Sequence, residues 1–233
     1  MSPAEHPGPL VFVDDLDVPV LSDDDRHHLD RVLRLRLGDP LTVADGLGRW
    51  RTGVFAPDLE TTGPVCTQPA PEPVLAIGFA LVKGDKPELI VQKLTELGID
   101  RIVPFSAERS VVRWDAPKAA KAIMRLRSVA RAAAMQCHRP RLPIVDELTA
   151  LAALAREVGV VRAERGGAPP TVAHRVVLIG PEGGWAPAEE ALEVPTVAFA
   201  QNVLRAETAA ITAGGIMAAL RSGIIGPREQ GIT

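Results

Sequence analysis

The 233-residue chain has no tyrosine, and its phenylalanines and tryptophans make up only 3% of it. Stacking platforms built from aromatic rings are therefore scarce, and any nucleic acid bound must be recognised mainly through shape and backbone. Cys66 and Cys137 are the only cysteines; they have neither metal-ligand nor CxxC spacing and are too few for a disulfide framework, so both are expected as reduced thiols. Long hydrophobic runs are missing too. The longest, residues 74–82 and 209–220, fall short of the roughly 20 residues that span a bilayer. The first ten residues carry Glu5 with prolines and a glycine instead of a basic start and an apolar run, which argues against a signal peptide. By elimination, the expected compartment is the cytoplasm. No charge of one sign dominates: 26 Lys and Arg against 29 Asp and Glu leave a net charge of -3. An RNA-binding surface, if present, must then be local.

What is there is enough hydrophobic residue, 46%, to fill a real core. Residues 61–73 are rich in Thr, Gly and Pro, with Pro64, Pro69, Pro71 and Pro73 spaced closely enough to prevent helix and central strand alike. This is the expected domain boundary, with a first domain over 1–70 and a second over 74–233. In the first, the apolar runs 10–13, 41–44 and 50–55 are separated by turn signals such as Gly38-Asp39-Pro40 and Asp45-Gly46, predicting a small β module with one helix. In the second, apolar runs alternate with helical patterns: strand 74–82, helix 86–97, strand 102–104, helix 118–136, strand 175–179, short helix 187–192, strand 196–199 and a final small-residue helix 208–221. Such alternation predicts an α/β domain with a largely parallel sheet. Asp85 and Glu88 read as an N-cap and N3 pair, with Gly98 ending that helix.

Two segments are placed to carry chemistry. In residues 178–185, LIGPEGGW, a β-rich run ends in a loop with three glycines and a carboxylate before a short helix. Glycine lets the main chain approach a ligand closely, and in open α/β sheets ligands gather at the carboxyl ends of strands. The loop matches neither GxGxxG nor a GxxxxGK[ST] phosphate loop, which disfavours a nucleotide triphosphate. The second segment, 203–210, VLRAETAA, follows the β run TVAFA and presents Arg205, Glu207 and Thr208 where strand gives way to helix. Taken alone, Glu207 and Thr208 would more often be capping residues at a helix N-terminus.

With VQKLTELGI (91–99), ERS (108–110) and QCHRPRLP (136–143), these two strings resemble the ribosomal small-subunit methyltransferase E family, a member of the SPOUT methyltransferases. His28, Val32-Leu33-Arg34, Gly38-Asp39 and Asp45-Gly46 extend the resemblance into the first domain. The resemblance implies an α/β fold with a trefoil-knotted C-terminal SPOUT domain and a small N-terminal PUA-like β-barrel. It also implies methylation of N3 of a uridine in 16S ribosomal RNA, with S-adenosylmethionine as donor and no metal. Leu178, Gly180, Glu182, Gly183, Phe199, Ala200, Val203 and Leu204 would hold the donor, mainly through main-chain groups. Arg205 and Glu207 would be the catalytic pair, and the protein a homodimer acting on 16S ribosomal RNA or the assembled small subunit. Asn202 and Ala206 stand where the family usually has arginine and threonine.

A permanently charged guanidinium can hold negative charge developing on a uracil ring, so Arg205 is expected at the reacting base. A carboxylate beside an arginine makes a poor base at neutral pH, so positioning ranks above proton abstraction for Glu207. For RNA contact, residues 101–141 hold ten basic side chains against two acids, Glu108 and Asp115. From these come the candidates Arg109, Arg125, Arg139 and Arg141, joined by Arg31 and Arg34 in the first domain. His27 and His28 have no spaced partners for a metal, and Met124, Met135 and Met217 read as core filler. Trp114 and Trp185 could pack or could stack on substrate. Two rival readings keep the fold but change the function: a catalytically silent RNA-binding protein, and a SPOUT enzyme acting on transfer RNA or another ribosomal position.

Overall fold

A computed structural model describes residues 2–226, which divide into two compact units, one of residues 2–70 with 130–142 and one of residues 71–129 with 143–226. The first unit is built on a five-stranded sheet: β1 (Leu10–Phe12), β2 (Pro40–Ala44), β3 (Arg49–Val54), β4 (Glu60–Thr61) and β5 (Cys66–Thr67). β1 runs parallel to β2, whereas β2–β3, β3–β4 and β3–β5 are antiparallel. The proline-rich stretch therefore contributes two-residue strands at the edge of the sheet, where missing amide donors cost least. A short helix, α1 (Asp23–His27), starts at Ser22, whose hydroxyl accepts from the Asp25 amide.

Charge inside this unit centres on Asp25, which is 5% exposed. Its carboxylate accepts from Arg131 Nη1 and Nη2 at 2.8 and 2.7 Å and from Ser22 Oγ at 2.6 Å. The same guanidinium donates to the Phe12 carbonyl at 3.2 Å and lies 5.6 Å from the Phe12 ring centre. A buried carboxylate with this set of donors is satisfied rather than stranded.

The second unit carries the parallel sheet. Its strands are β6 (Ala76–Ala80), β7 (Arg101–Ser106), β8 (Ile144–Val145), β9 (Thr149–Ala150), β10 (Val160–Ala168), β11 (Val176–Ile179) and β12 (Thr196–Val197). They lie in the order β12-β10-β11-β6-β7-β8, with β9 also on β7, and every pair is parallel. The helices are α2 (Lys86–Glu96), α3 (Ala116–Gln136), α4 (Leu151–Leu154), α5 (Pro187–Glu190) and α6 (Ala206–Arg221). α3 contributes residues to both units, its last ones falling in the 130–142 segment. The fold is α/β, as expected, with one mixed and one parallel sheet.

Alternation along the strands separates two faces. Ala76, Ala80, Val103, Phe105, Val176 and Leu178 form one buried cluster with Leu151, Leu154 and Trp185. Small residues in β6 make room for the large ones beside them: a Cβ on Gly78 would lie 2.8 Å from Leu178 Cδ2. α6 packs on α2 and on β6 and β11, and its Gly214 faces Leu94, Leu97 and Ile99.

Three local readings need correction, the first being Met124, which is 61% exposed on α3 and not core filler. The Asp85 side chain makes no cap hydrogen bond, and Glu88 instead pairs with Arg125 at 2.9 Å, because Asp85 sits at φ -90°, ψ 5°, outside the extended conformation a capping residue needs. β10, nine residues long, was not anticipated: its polar second half, ERGGA, breaks the apolar signal of Val160 and Val161. Gly98 does end α2, at φ +83°.

Asp25 gives the first unit a defined acid sensitivity. Burial pushes its carboxyl upward, but hydrogen bonds from Arg131 and Ser22, with the nearby Arg131 and His28 charges, more than offset this and hold it below its ordinary 3.8. A depressed carboxyl contributes stability that is full above its unfolded value and is lost as pH falls through the folded one. Arg131→Ala, which strands the carboxylate, should cost about 3 kcal/mol at neutral pH. Thermal melts taken from about pH 6 down to about pH 2 should show a shallower acid loss for Asp25→Asn than for the parent chain; equal slopes would remove Asp25 from that role.

Candidate active site

Parallel register decides where the two chemical segments meet. Phe79 pairs with Ile179, so the loops leaving β6 and β11 emerge at the same sheet edge. Arg162 of β10 lies between Leu178 of β11 and Thr196 of β12, which brings the end of β12 to that edge as well. The loop after β6 leads into α2, the glycine loop follows β11, and residues 198–205 lead from β12 into α6.

Lys86, the first residue of α2, joins them. Its Nζ is 3.2 Å from Glu182 Oε1 in the glycine loop and 3.2 Å from Glu207 Oε2 in the first turn of α6. The Glu182 contact has hydrogen-bond geometry; the Glu207 contact is a charge pair whose Oε2, shielded from solvent, lacks a hydrogen-bond partner among the described residues. The two carboxylates raise the Lys86 pKa, Glu182 most and Glu207 next. Lys86 was missed in the sequence because it reads simply as a polar helix start. The available signal was its sign: a cation at a helix N-terminus opposes the dipole.

The glycine loop is held from behind. A Cβ on Gly180 would fall 2.8 Å from the Trp185 indole, and that ring stacks on Phe105 with centroids 6.1 Å apart and planes 5° from parallel. Arg162, 8% exposed, places its guanidinium 5.5 Å from the Trp185 ring centre. Trp185 is thus a packing residue. Glu189 ties α5 to the loop after β7 by accepting from the Glu108 amide at 2.8 Å, while its other oxygen accepts from the Ala186 amide at 2.8 Å. Gly184 adopts φ +74°, and Arg109 Nη1 reaches the Gly183 carbonyl at 3.4 Å.

A cavity of about 220 Å³ opens between the middle of β10 and the loop after β12. Phe199, Ala200, Val203 and Leu204 line it with Asn202 and Ala209, and Glu164 and Arg165 supply its charge. Leu178, Gly180, Glu182 and Gly183 do not line it. Leu178 is fully buried in the strand core, which leaves only its main chain for a ligand. Arg205 is exposed as the residue before α6, at φ -65°, ψ 154°, and makes no ion pair among the described residues. Glu207 is mostly buried against Lys86. Glu164 and Arg165 went unnoticed because the strand that carries them did.

The basic segment is less free than its composition suggests. Arg101 pairs with Asp146 and Glu157, Arg125 with Glu88, Arg127 with Glu147 and Arg131 with Asp25. Arg141 donates to the Gln68 carbonyl at 3.3 Å and its guanidinium lies beneath Gly48. Arg139 is half-buried, and Arg31 is exposed beside Asp30 at 3.2 Å. Arg34, Lys118 and Lys121 are exposed without an ion pair among the described residues.

Residues 69–218 match the model of the RNA methyltransferase domain family. A ribosomal RNA small subunit methyltransferase E from Mycobacterium bovis is 32% identical, over 91% of this chain and 92% of that protein. The chain belongs to the ribosomal RNA small subunit methyltransferase E family. A solved methyltransferase E from Neisseria gonorrhoeae, bound to S-adenosylmethionine, is similar with a TM-score of 0.78 at 26% identity, covering 91% of this chain and 97% of that one. A methyltransferase from Legionella pneumophila, also in complex with S-adenosylmethionine, gives a TM-score of 0.75 at 26% identity, covering 90% and 96%. In this methyltransferase E chain, then, the edge that Lys86 joins and the cavity beside it are the places to test. Gly180→Ala should displace the Trp185 ring, lowering stability by roughly 1–3 kcal/mol through overpacking. Near-ultraviolet circular dichroism and a thermal melt would show it, and unchanged traces would refute the close packing.

Proposed function

We propose that this chain transfers the methyl group of S-adenosylmethionine to N3 of a specific uridine in 16S ribosomal RNA of the small ribosomal subunit. The observation that carries the reading is the meeting of the glycine loop and the Arg205–Glu207 turn at one sheet edge, beside a cavity of about 220 Å³, in a chain of this family. The cavity suits such a donor: its walls are mainly apolar, with Phe199, Val203 and Leu204 available for a purine, and Glu164 and Arg165 offer opposite charges to a group bearing both an ammonium and a carboxylate. Main-chain groups of Leu178, Gly180 and Gly183 would complete the hold, with the Glu182 carboxylate beside them.

When bound, S-adenosylmethionine supplies an electrophilic methyl carbon on a sulfonium. The chain's own task is at the acceptor, because uridine N3 keeps its proton at neutral pH. Arg205, exposed and without an ion pair among the described residues, is available to hold the negative charge that develops on the ring as that proton passes to solvent water. Glu207 is already engaged by Lys86, which supports an anchoring role over proton abstraction. Holding both reactants near attack geometry can lower the barrier by roughly 7–11 kcal/mol, more than one acid or base usually supplies.

The remaining parts of the reading follow the family. Residues 1–70 form a PUA-like RNA-binding barrel, a role its mixed sheet and exposed Arg31 and Arg34 support, and residues 74–233 form the SPOUT domain. The reading includes a trefoil-knotted C-terminal segment; the run of residues 198–205 from the edge strand β12 to α6, packed on β6 and β11 in mid-sheet, supports it. The protein works as a cytoplasmic homodimer. Arg109, Arg125, Arg139 and Arg141 complete the RNA-facing set.

Arg205→Ala should lower turnover by roughly 10²–10³-fold, as loss of a charge-stabilising donor does, while calorimetry gives near-parental donor affinity. The activity itself is read by offering labelled donor with small subunits, naked 16S ribosomal RNA and transfer RNA, then digesting the product to nucleosides. Label in 3-methyluridine from the small subunit or its RNA is expected. Label in transfer RNA or in another nucleoside, or donor binding with no transfer, would overturn the reading.

A further inference from the structure

We propose that Lys86 is a positioning residue of the transfer site, tying the turn that carries Arg205 and Glu207 to the glycine loop through Glu182. The inference rests on the reading that these two segments form that site. Three observations carry it. Lys86 Nζ lies 3.2 Å from a carboxylate oxygen on each segment, so one ammonium spans two loops more than twenty residues apart in sequence. The lysine occupies the first position of an eleven-residue helix, where the dipole favours an acid and the family of local rules would place one. Arg205 has no side-chain cap bond to fix it; its place is set by the turn that follows, and Glu207 is the residue by which that turn is held.

The electrostatics explain why a cation is needed. Without Lys86, Glu182 and Glu207 would face each other as two anions with nothing between them, one of them mostly shielded from water. Repulsion would push the first turn of α6 away from the glycine loop and carry Arg205 with it. The cavity, lined by the middle of β10 and by Phe199, Ala200, Asn202, Val203 and Leu204, includes neither Lys86 nor Glu182 and would keep its shape. Loss of Lys86 should therefore fall on turnover, not on donor binding.

The test uses the full chain with labelled S-adenosylmethionine and small ribosomal subunits, comparing Lys86→Met, Lys86→Gln, Lys86→Arg, Glu207→Gln and the Lys86→Met/Glu207→Gln double variant. Lys86→Met and Lys86→Gln should lower kcat at least about tenfold with donor KM within about threefold, the split expected when ground-state binding is spared. Lys86→Arg, which keeps the charge, should recover most of the loss. The double variant should be no slower than Glu207→Gln, since residues acting through one contact are not additive. Thermal midpoints report whether each variant folds, and Lys86→Gln and Lys86→Arg carry the comparison if Lys86→Met does not. Turnover within about twofold of the parent, losses that multiply in the double variant, or an arginine variant as slow as the methionine one would each overturn the inference. A parent chain that transfers no methyl group overturns the underlying reading instead, and this inference with it.

Discussion

The parallel pairing of residues 76–79 with residues 176–179 is the constraint on which the site depends. Because Phe79 stands opposite Ile179, the chain leaves both strands at the same edge, and segments about a hundred residues apart become neighbours. A register shift of one residue would exchange the two buried faces of the strand, putting Ile179 where Leu178 packs and Leu178 on the opposite side. Gly78 is part of what prevents this, since only a residue without a Cβ leaves room for Leu178 beside it.

Electrostatics then refine what the register has assembled. At the edge, one ammonium stands between two carboxylates and holds the glycine loop to the first turn of α6. Below it, an arginine over an indole and an indole against a phenylalanine make a rigid floor for the glycine loop. The floor restricts Gly180 and Trp185, while Gly184 in its left-handed conformation sets the turn. A loop that must approach a ligand through its main chain has to be held from the side opposite the ligand, and these rings supply that hold.

The basic surface shows how composition and structure part company. Ten cations between residues 101 and 141 imply a strongly positive face, but Arg101, Arg125, Arg127 and Arg131 are matched by acids from elsewhere in the chain. Charge summed along a segment counts only local partners, whereas ion pairs form between segments. Of the ten, Lys118 and Lys121 stay exposed without an ion pair among the described residues, consistent with the chain's slightly negative balance.

Much was legible without coordinates because it depends on local periodicity and ordered motifs. The α/β alternation, α2 with its glycine stop, the two chemical segments and the family all come from patterns within some ten residues of each other. β10 was hidden because a strand that turns polar at its midpoint loses the signal that marks it. Lys86, Glu164, Arg165 and the acid partners of the arginines were hidden for a different reason: each acquires its meaning from a residue distant in the chain. By itself the amino-acid sequence determined the α/β alternation and the family, and it put forward Arg205 and Glu207 as candidates. Only the tertiary structure decided which charges face one another, because distances between segments are set by strand register and helix packing, and neither is encoded in any single stretch of residues.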